Sequence, residues 1–320
     1  MPFLPFVLED VGNKAAVFPL QLLGFDVDFV NSVHFSNHTG YENGLTGDVL
    51  QGDQLRDILH GLNNNSLLED VGYLLTGYIG STSFLKAVLE VVNKLRSSAD
   101  GVRYICDPVL GDDGKFYVPP ELVQVYKESL IPLADVVTPN QFEVEQLTGI
   151  SVTTMEDARK ACKVLHSMGP SIVFITSVIF EKDSASTIDA STTAEITIIG
   201  SRRWSQREGA KDNKSDPKRI DIDGDEVWRI DCPLLPGSYT GTGDLTAALL
   251  CGHLAGNGFD KDLSIPMEKV VNTMFVVIQR TKSFSGVSAK SKELKLIQSK
   301  YDIENPPATY QAKCATKVEA

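Results

Sequence analysis

The sequence has little of what staples or anchors a chain. Its five cysteines (Cys106, Cys162, Cys232, Cys251 and Cys314) are odd in number, scattered, and include no CxxC pair. Neither a disulfide framework nor a structural zinc site is indicated. No run approaches the ~18 uninterrupted apolar residues of a membrane-spanning helix. The opening MPFLPFVLED is apolar, but no basic stretch precedes it and Pro2 and Pro5 interrupt it, so it is not read as a signal peptide. GxxxxGK[ST] is missing, which excludes P-loop chemistry, and Thr246 stands where G-x-G-x-x-G needs its third glycine. Basic charge is short as well: 30 Lys and Arg face 42 Asp and Glu, a net charge of −12. That balance disfavours a nucleic-acid binder. A soluble, cytoplasmic protein with no membrane partner is expected.

What is present is a globular chain of 320 residues, 42% apolar and 22% charged, enough for one large α/β domain or two small ones. Strands are predicted at Phe25–Val33, Tyr73–Thr76, Arg103–Cys106, Val136–Val137 and Ile172–Thr176. Helical spacing marks Leu55–Leu62, Phe84–Leu95, Pro120–Ile131 and Glu156–Ser167. This alternation predicts a mostly parallel sheet with helices on both faces. Two further strands, Glu195–Arg203 and Glu226–Asp231, flank a polar stretch. In that stretch Arg207, Lys211, Lys214, Lys218 and Arg219 interleave with Asp212, Asp216, Asp221 and Asp223, the pattern of a solvated hairpin loop at 204–225. Helices resume at Asp244–Ala255 and Met267–Lys282, and residues 307–320 read as a flexible tail. No repeat or linker divides the chain, so a single domain over 1–320 is expected.

The sharpest local signal is Gly241-Thr242-Gly243-Asp244 leading into the apolar helix LTAALLCGHLAG. Amides converging at a helix N-terminus stabilise an anion, and Asp244 stands where it can take a proton beside it. A glycine turn with a capping Asp explains the same residues equally well. Asp107 and Asp112, in DPVLGD, follow a predicted strand, where open α/β sheets bind ligands. Two such carboxylates suit a divalent cation shared with phosphate oxygens, or else a solvated turn. Thr138-Pro139-Asn140-Gln141-Phe142-Glu143 follows another strand, with Glu143 in a helix first turn as a candidate cap, and Thr176-Ser177 ends a third. Three such strand ends and a glycine nest together point to one phosphate-and-metal site.

SVHFSNHTGY (32–41), LLTGY (74–78), CDPVLGD (106–112), TPNQFE (138–143), HSMGP (166–170), ITS (175–177), GTGD (241–244) and IQSKYDIENP (297–306) resemble, in order, the pyridoxal kinases of the ribokinase superfamily. The resemblance spans about Val11 to Pro306. GTGD marks the superfamily alone, whereas NSVHFSNHTGY with TPNQFE is specific to pyridoxal kinases. It implies a ribokinase-like fold, a homodimer, and ATP-dependent phosphorylation of the 5′-hydroxymethyl group of pyridoxal, pyridoxine or pyridoxamine. Asp244 would be the catalytic base, with the Gly241–Gly243 amides holding charge on the transferred group. Asp107, Asp112, Asn140 and Glu143 would organise ATP phosphates and Mg²⁺, with Asp112 and Glu143 on the metal. Asp107, Thr138 and Thr176 would surround a monovalent cation, usually K⁺, and Thr176, Ser177 and Thr242 would touch the nucleotide. Val33, Phe35, His38, Thr39 and Tyr78 would line the vitamin pocket.

One departure stands out. Val11-Gly12-Asn13 is in place, but Glu9 and Asp10 replace the Gly-Tyr that family members carry before it. The expected first strand and its ring-binding serine are missing or altered across 1–10, because Pro2 and Pro5 remove donors a central strand needs. A catalytically weak isoform that binds nucleotide or partners, and a related hydroxymethylpyrimidine kinase, are the alternatives.

Overall fold

In the computed structural model, residues 5–6, 12–38, 41–99, 101–180, 194–204, 225–284 and 292–316 are described. The first half runs β1 (Pro5–Phe6), α1 (Gly12–Leu22), β2 (Val33–Phe35), β3 (Gly47–Val49), α2 (Gly52–Asn64), β4 (Tyr73–Thr76), α3 (Thr82–Ser98) and β5 (Arg103–Cys106). A small hairpin, β6 (Gly111–Asp112) and β7 (Lys115–Phe116), then leads into α4 (Leu122–Val125), which continues through a π-turn and a 3₁₀-turn to Leu133. Next come β8 (Val136–Val137), α5 (Gln141–Thr148), α6 (Met155–Met168), β9 (Ile172–Val178), β10 (Glu195–Arg203) and β11 (Asp225–Pro233). The chain closes with α7 (Thr242–Asn257), α8 (Ser264–Ser283), α9 (Lys300–Glu304) and β12 (Lys313–Cys314).

Among the described residues, eight strands form one mixed sheet in the order β1-β4-β5-β8-β9-β10-β11-β12. Pairing is parallel from β1 to β9 and antiparallel from β9 to β12. Alternate residues of each strand face opposite sides, so each strand feeds two cores. Leu74, Tyr104, Cys106, Val137, Val173 and Ile175 join one core with the buried faces of α2 through α6. Tyr73, Leu75, Ile105, Val136, Ile172 and Phe174 join the other with α1, α7, α8 and α9. Helix α7 is buried without interruption from Leu245 to Leu254. It is an interior helix, wedged between sheet, α1 and α8, and its N-terminus is fixed by that packing.

Three expectations need correction. Phe25–Val33 is not a continuous strand: Phe29 makes a single bridge, the ladder with β3 starts at Val33, and Phe25 and Val27 drop into the core as irregular chain. Their alternation records burial of single side chains without ladder pairing. The first strand is present as a short β1, pairing Pro5 with Tyr73 and Phe6 with Leu74. It lies at the sheet edge, where a proline's missing N–H is tolerated. The segment expected as a flexible tail adds β12 to β11, and Arg159 Nε donates to Ala315 O at 2.7 Å. The β10–β11 pairing confirms the hairpin, while its loop at 205–224 and Thr39 lie outside the described residues.

Candidate active site

The site forms where the C-terminal ends of the parallel strands meet the N-terminus of α7. Asp107 leaves β5 with its amide on Thr76 O (2.9 Å), and Thr138 leaves β8 with its amide on Cys106 O (3.2 Å). The two side chains meet: Thr138 Oγ1 donates to Asp107 Oδ1 at 2.8 Å in a buried setting. The other carboxylate oxygen, Oδ2, would stand 3.7 Å from a Cβ placed on Gly243. The β5 acid therefore faces the glycine turn directly.

Gly241 is the N-cap of α7 with φ of +91°, a conformation that glycine adopts without strain. A side chain there would press on Ala15 Cβ at 3.2 Å and reach Asp244 Oδ2 at 4.0 Å. Asp244 is thus not the helix cap; it occupies the third helical position, with its carboxylate beside the turn. The first amides of the helix have no intrahelical acceptor and carry the positive end of its dipole.

Charge is concentrated here against the tendency of burial. Asp107 is 4% exposed, and burial, reinforced by the charge of Asp244, pushes its carboxyl up to about 8. Burial and then Asp107 raise Glu143 well above the usual carboxylate range. Glu143 is fully engaged as a cap: Oε2 accepts from Asn140 N and Oε1 from Leu110 N, both at 2.9 Å. Asn140 completes the capping box and donates through Nδ2 to Gly111 O at 2.8 Å. These two residues tie α5 to the 107–111 loop. Asp112 is exposed on the β6–β7 hairpin, its carboxyl raised mainly by burial of part of its surface.

Beside the turn lies a cavity of about 480 Å³ that takes in Asp112, Thr176, Ser177, Thr242 and Gly243. Its far wall is apolar, built from Ile196, Ile198, Leu235, Val271, Met274 and Phe275. Ser32 Oγ donates to Tyr78 O at 2.7 Å, bringing Val33 and Tyr78 into one neighbourhood. Phe35 is half-buried at the end of β2. The His38 ring packs against Tyr41 in a tilted arrangement, centroids 4.6 Å apart, and its basicity is lowered by burial, which Glu293 partly opposes.

The profile of the phosphomethylpyrimidine kinase family matches residues 63–259. A pyridoxal kinase of Arabidopsis thaliana is 45% identical over 307 residues, covering 94% of this chain and 89% of the relative. A pyridoxal kinase of Homo sapiens is 40% identical over 314 residues, covering 94% and 93%. The chain belongs to the pyridoxal kinase family. A solved pyridoxal kinase from Leishmania donovani, in complex with ADP and ginkgotoxin, matches with a TM-score of 0.82 at 29% identity, covering 97% of this chain and 99% of that one. The same enzyme in complex with ADP and pyridoxamine matches at 0.80 with 30% identity and the same coverage.

Of the residues that family resemblance singled out, Asp107, Thr138, Asp244 and the glycine turn come together, and Thr176, Ser177, Thr242 and Asp112 share the cavity. Asn140 and Glu143 do not line the cavity; they bond each other and the 107–111 loop. Among the described residues no group of three or more His, Cys, Asp or Glu side chains could hold a metal ion alone. The apolar wall and Glu293 were not anticipated, and Tyr41, which closes the SVHFSNHTGY motif, was given no role there. They come from distant segments, and only the structure assembles them.

Proposed function

We propose that the chain is an ATP-dependent kinase that phosphorylates the 5′-hydroxymethyl group of pyridoxal, pyridoxine or pyridoxamine, acting as one kinase domain. The observation that carries this reading is the meeting of Asp107, Asp244 and the Gly241–Gly243 turn at the edge of the cavity. Asp244 takes the hydroxyl proton as the alcohol oxygen bonds to the γ-phosphorus and the bond to the ADP oxygen breaks. The turn's amides then hold the charge that builds on the transferred group, at a site where they are already oriented. Thr176, Ser177 and Thr242 face the phosphates, the apolar wall covers the base, and Val33, Phe35, His38, Thr39 and Tyr78 receive the vitamin ring.

The donor set fits cations shared with phosphate oxygens. Asp107 and Asp112 are hard oxygen ligands of the kind Mg²⁺ takes one or two of, leaving its other positions to phosphate and water. Glu143, with both oxygens on backbone amides, would support the metal site through the 107–111 loop and not as a ligand. Asp107, Thr138 and Thr176 offer oxygens to K⁺, and a cation there would relieve the raised carboxyl of Asp107. When bound, Mg²⁺ neutralises charge spreading over the transferred phosphoryl group. A homodimer in the cytoplasm belongs to the same proposal.

A second reading, a hydroxymethylpyrimidine kinase, is favoured by the family profile. That match begins at residue 63, beyond the segment 32–41 that would meet the ring. ADP release measured with pyridoxal and with hydroxymethylpyrimidine as sole acceptor separates the two. Faster turnover with pyridoxal is expected, and a preference for the pyrimidine would overturn the assignment.

A further inference from the structure

We propose that Glu293 is a positioning residue for the vitamin alcohol, its carboxylate clasping Tyr41 so that Tyr41 and the His38 ring packed on it are held beside the Thr240–Gly241 turn. The inference rests on the pyridoxal kinase reading and adds to it a residue that no catalytic motif contains.

Glu293 touches both halves of the site. Through its side chain, Glu293 Oε1 accepts from Tyr41 Oη at 2.8 Å, across 252 positions of sequence. Through its backbone, it forms a parallel bridge with Thr240, and Thr240 N donates to the neighbouring Lys292 O at 3.4 Å. Leu294 Cδ1 would stand 3.9 Å from a Cβ on Gly241. The residue that holds the vitamin-side tyrosine is therefore laid directly along the chain entering the phosphate-binding turn.

Both ends of the clasp are anchored. Lys295 N donates to Thr281 Oγ1 at 3.0 Å, and the fully buried Thr281 hydroxyl donates to Val277 O at 2.7 Å. The Glu293 segment thus rests on the end of α8. On the other side, Asn37 Nδ2 donates to His38 O at 3.1 Å and to Gly44 O at 3.0 Å, and Gly44 N donates to Tyr41 O at 3.2 Å. His38, packed on the Tyr41 ring, belongs to the same hydrogen-bonded turn, and the charge of Glu293 reaches it. A single tyrosine–carboxylate bond contributes little to the stability of the whole chain. Its effect is to narrow the positions open to the vitamin-side turn relative to Asp244, which is the quantity that governs transfer between two bound groups.

The test uses the full chain with Glu293→Gln, Tyr41→Phe and both together. Steady-state constants are measured with pyridoxal and with ATP varied, and hydrogen exchange is followed over 41–46 in the ligand-free chain. Each single variant should raise the KM for pyridoxal roughly 3- to 10-fold, the range of one lost hydrogen bond. The KM for ATP and the melting temperature should hold, and the double variant should be no worse than the worse single one, because the two groups act as a unit. Exchange over 41–46 should quicken in both. An unchanged pyridoxal KM, a parallel rise in the ATP KM, or effects that multiply would overturn the clasp. Should the parent chain fail to phosphorylate pyridoxal, the functional reading falls, and exchange alone decides the clasp: faster exchange upholds it and parent-like exchange overturns it.

Discussion

Asp107 carries a conflict between its charge and its burial. Its carboxyl is raised to about 8 by burial first and by Asp244 second, while the Thr138 hydroxyl bond pulls the other way. In the unfolded chain the same group titrates near ~3.9. Between these values the folded state binds the additional proton, so its stability falls as pH rises through the window. Asp107→Asn removes that titration and keeps an acceptor for Thr138. The melting temperature of the ligand-free variant should fall less steeply from pH 5 to pH 8 and exceed the parent's at pH 8 by about 2 °C or more, while kinase activity declines. A parent-like slope in a thermal-shift series would show that Asp107 does not titrate there. Gly241 is the opposite kind of residue, fixed by shape. With φ of +91° and Ala15 at 3.2 Å from any added Cβ, Gly241→Ala should cost about 1 kcal/mol or more in denaturant unfolding and distort the amide turn. Parent-like stability and turnover would mean that the turn relaxes freely.

At the scale of elements, α5 acts as a strut between β8 and the 107–111 loop, and Glu143 is its joint. A glutamine at this position can accept only one of the two amides that Glu143 holds and would leave the other buried and unmet. Glu143→Gln should therefore lose about 1–3 kcal/mol of unfolding free energy and raise the KM for Mg-ATP more than that for pyridoxal. Equal stability would remove Glu143 from the scaffold. Elements whose main chain and side chains are buried together were legible in sequence: the expected bounds of β4, β5, β8 and β10 are the observed ones, each strand carrying an apolar stretch. The segment Phe25–Val33 misled because Phe25, beside Gly252 of α7, and Val27 are buried as single side chains in the same core, which mimics a strand without a continuous ladder. The C-terminal β12 was hidden because its pairing is made by backbone on an exposed pattern. The prolines of the N-terminus argued against a strand only while a central position was assumed, and β1 is an edge.

Across the whole molecule, the mixed sheet divides the labour. Its parallel half presents acids and hydroxyls at successive strand ends, and those were legible because Asp107 and Thr138 follow short apolar strands and Thr176 and Ser177 lie at the end of the apolar β9. Its antiparallel half, with α8, supplies the apolar wall, which no motif announces because its residues are spread over β10, the segment after β11, and α8. The Tyr41–Glu293 contact was hidden for the same reason, since only folding brings its partners together. Between the halves, α7 holds Asp244 against the glycine turn. The account stands on that carboxylate removing a proton from the vitamin alcohol. The direct measurement is single-turnover phosphorylation of pyridoxal by the parent and by Asp244→Asn, with the product's 5′-phosphate identified and ATP affinity measured alongside. The variant should bind ATP as the parent does and transfer phosphate roughly 10²–10⁴-fold more slowly, the contribution of a positioned base. Transfer by Asp244→Asn at the parent rate would contradict the account.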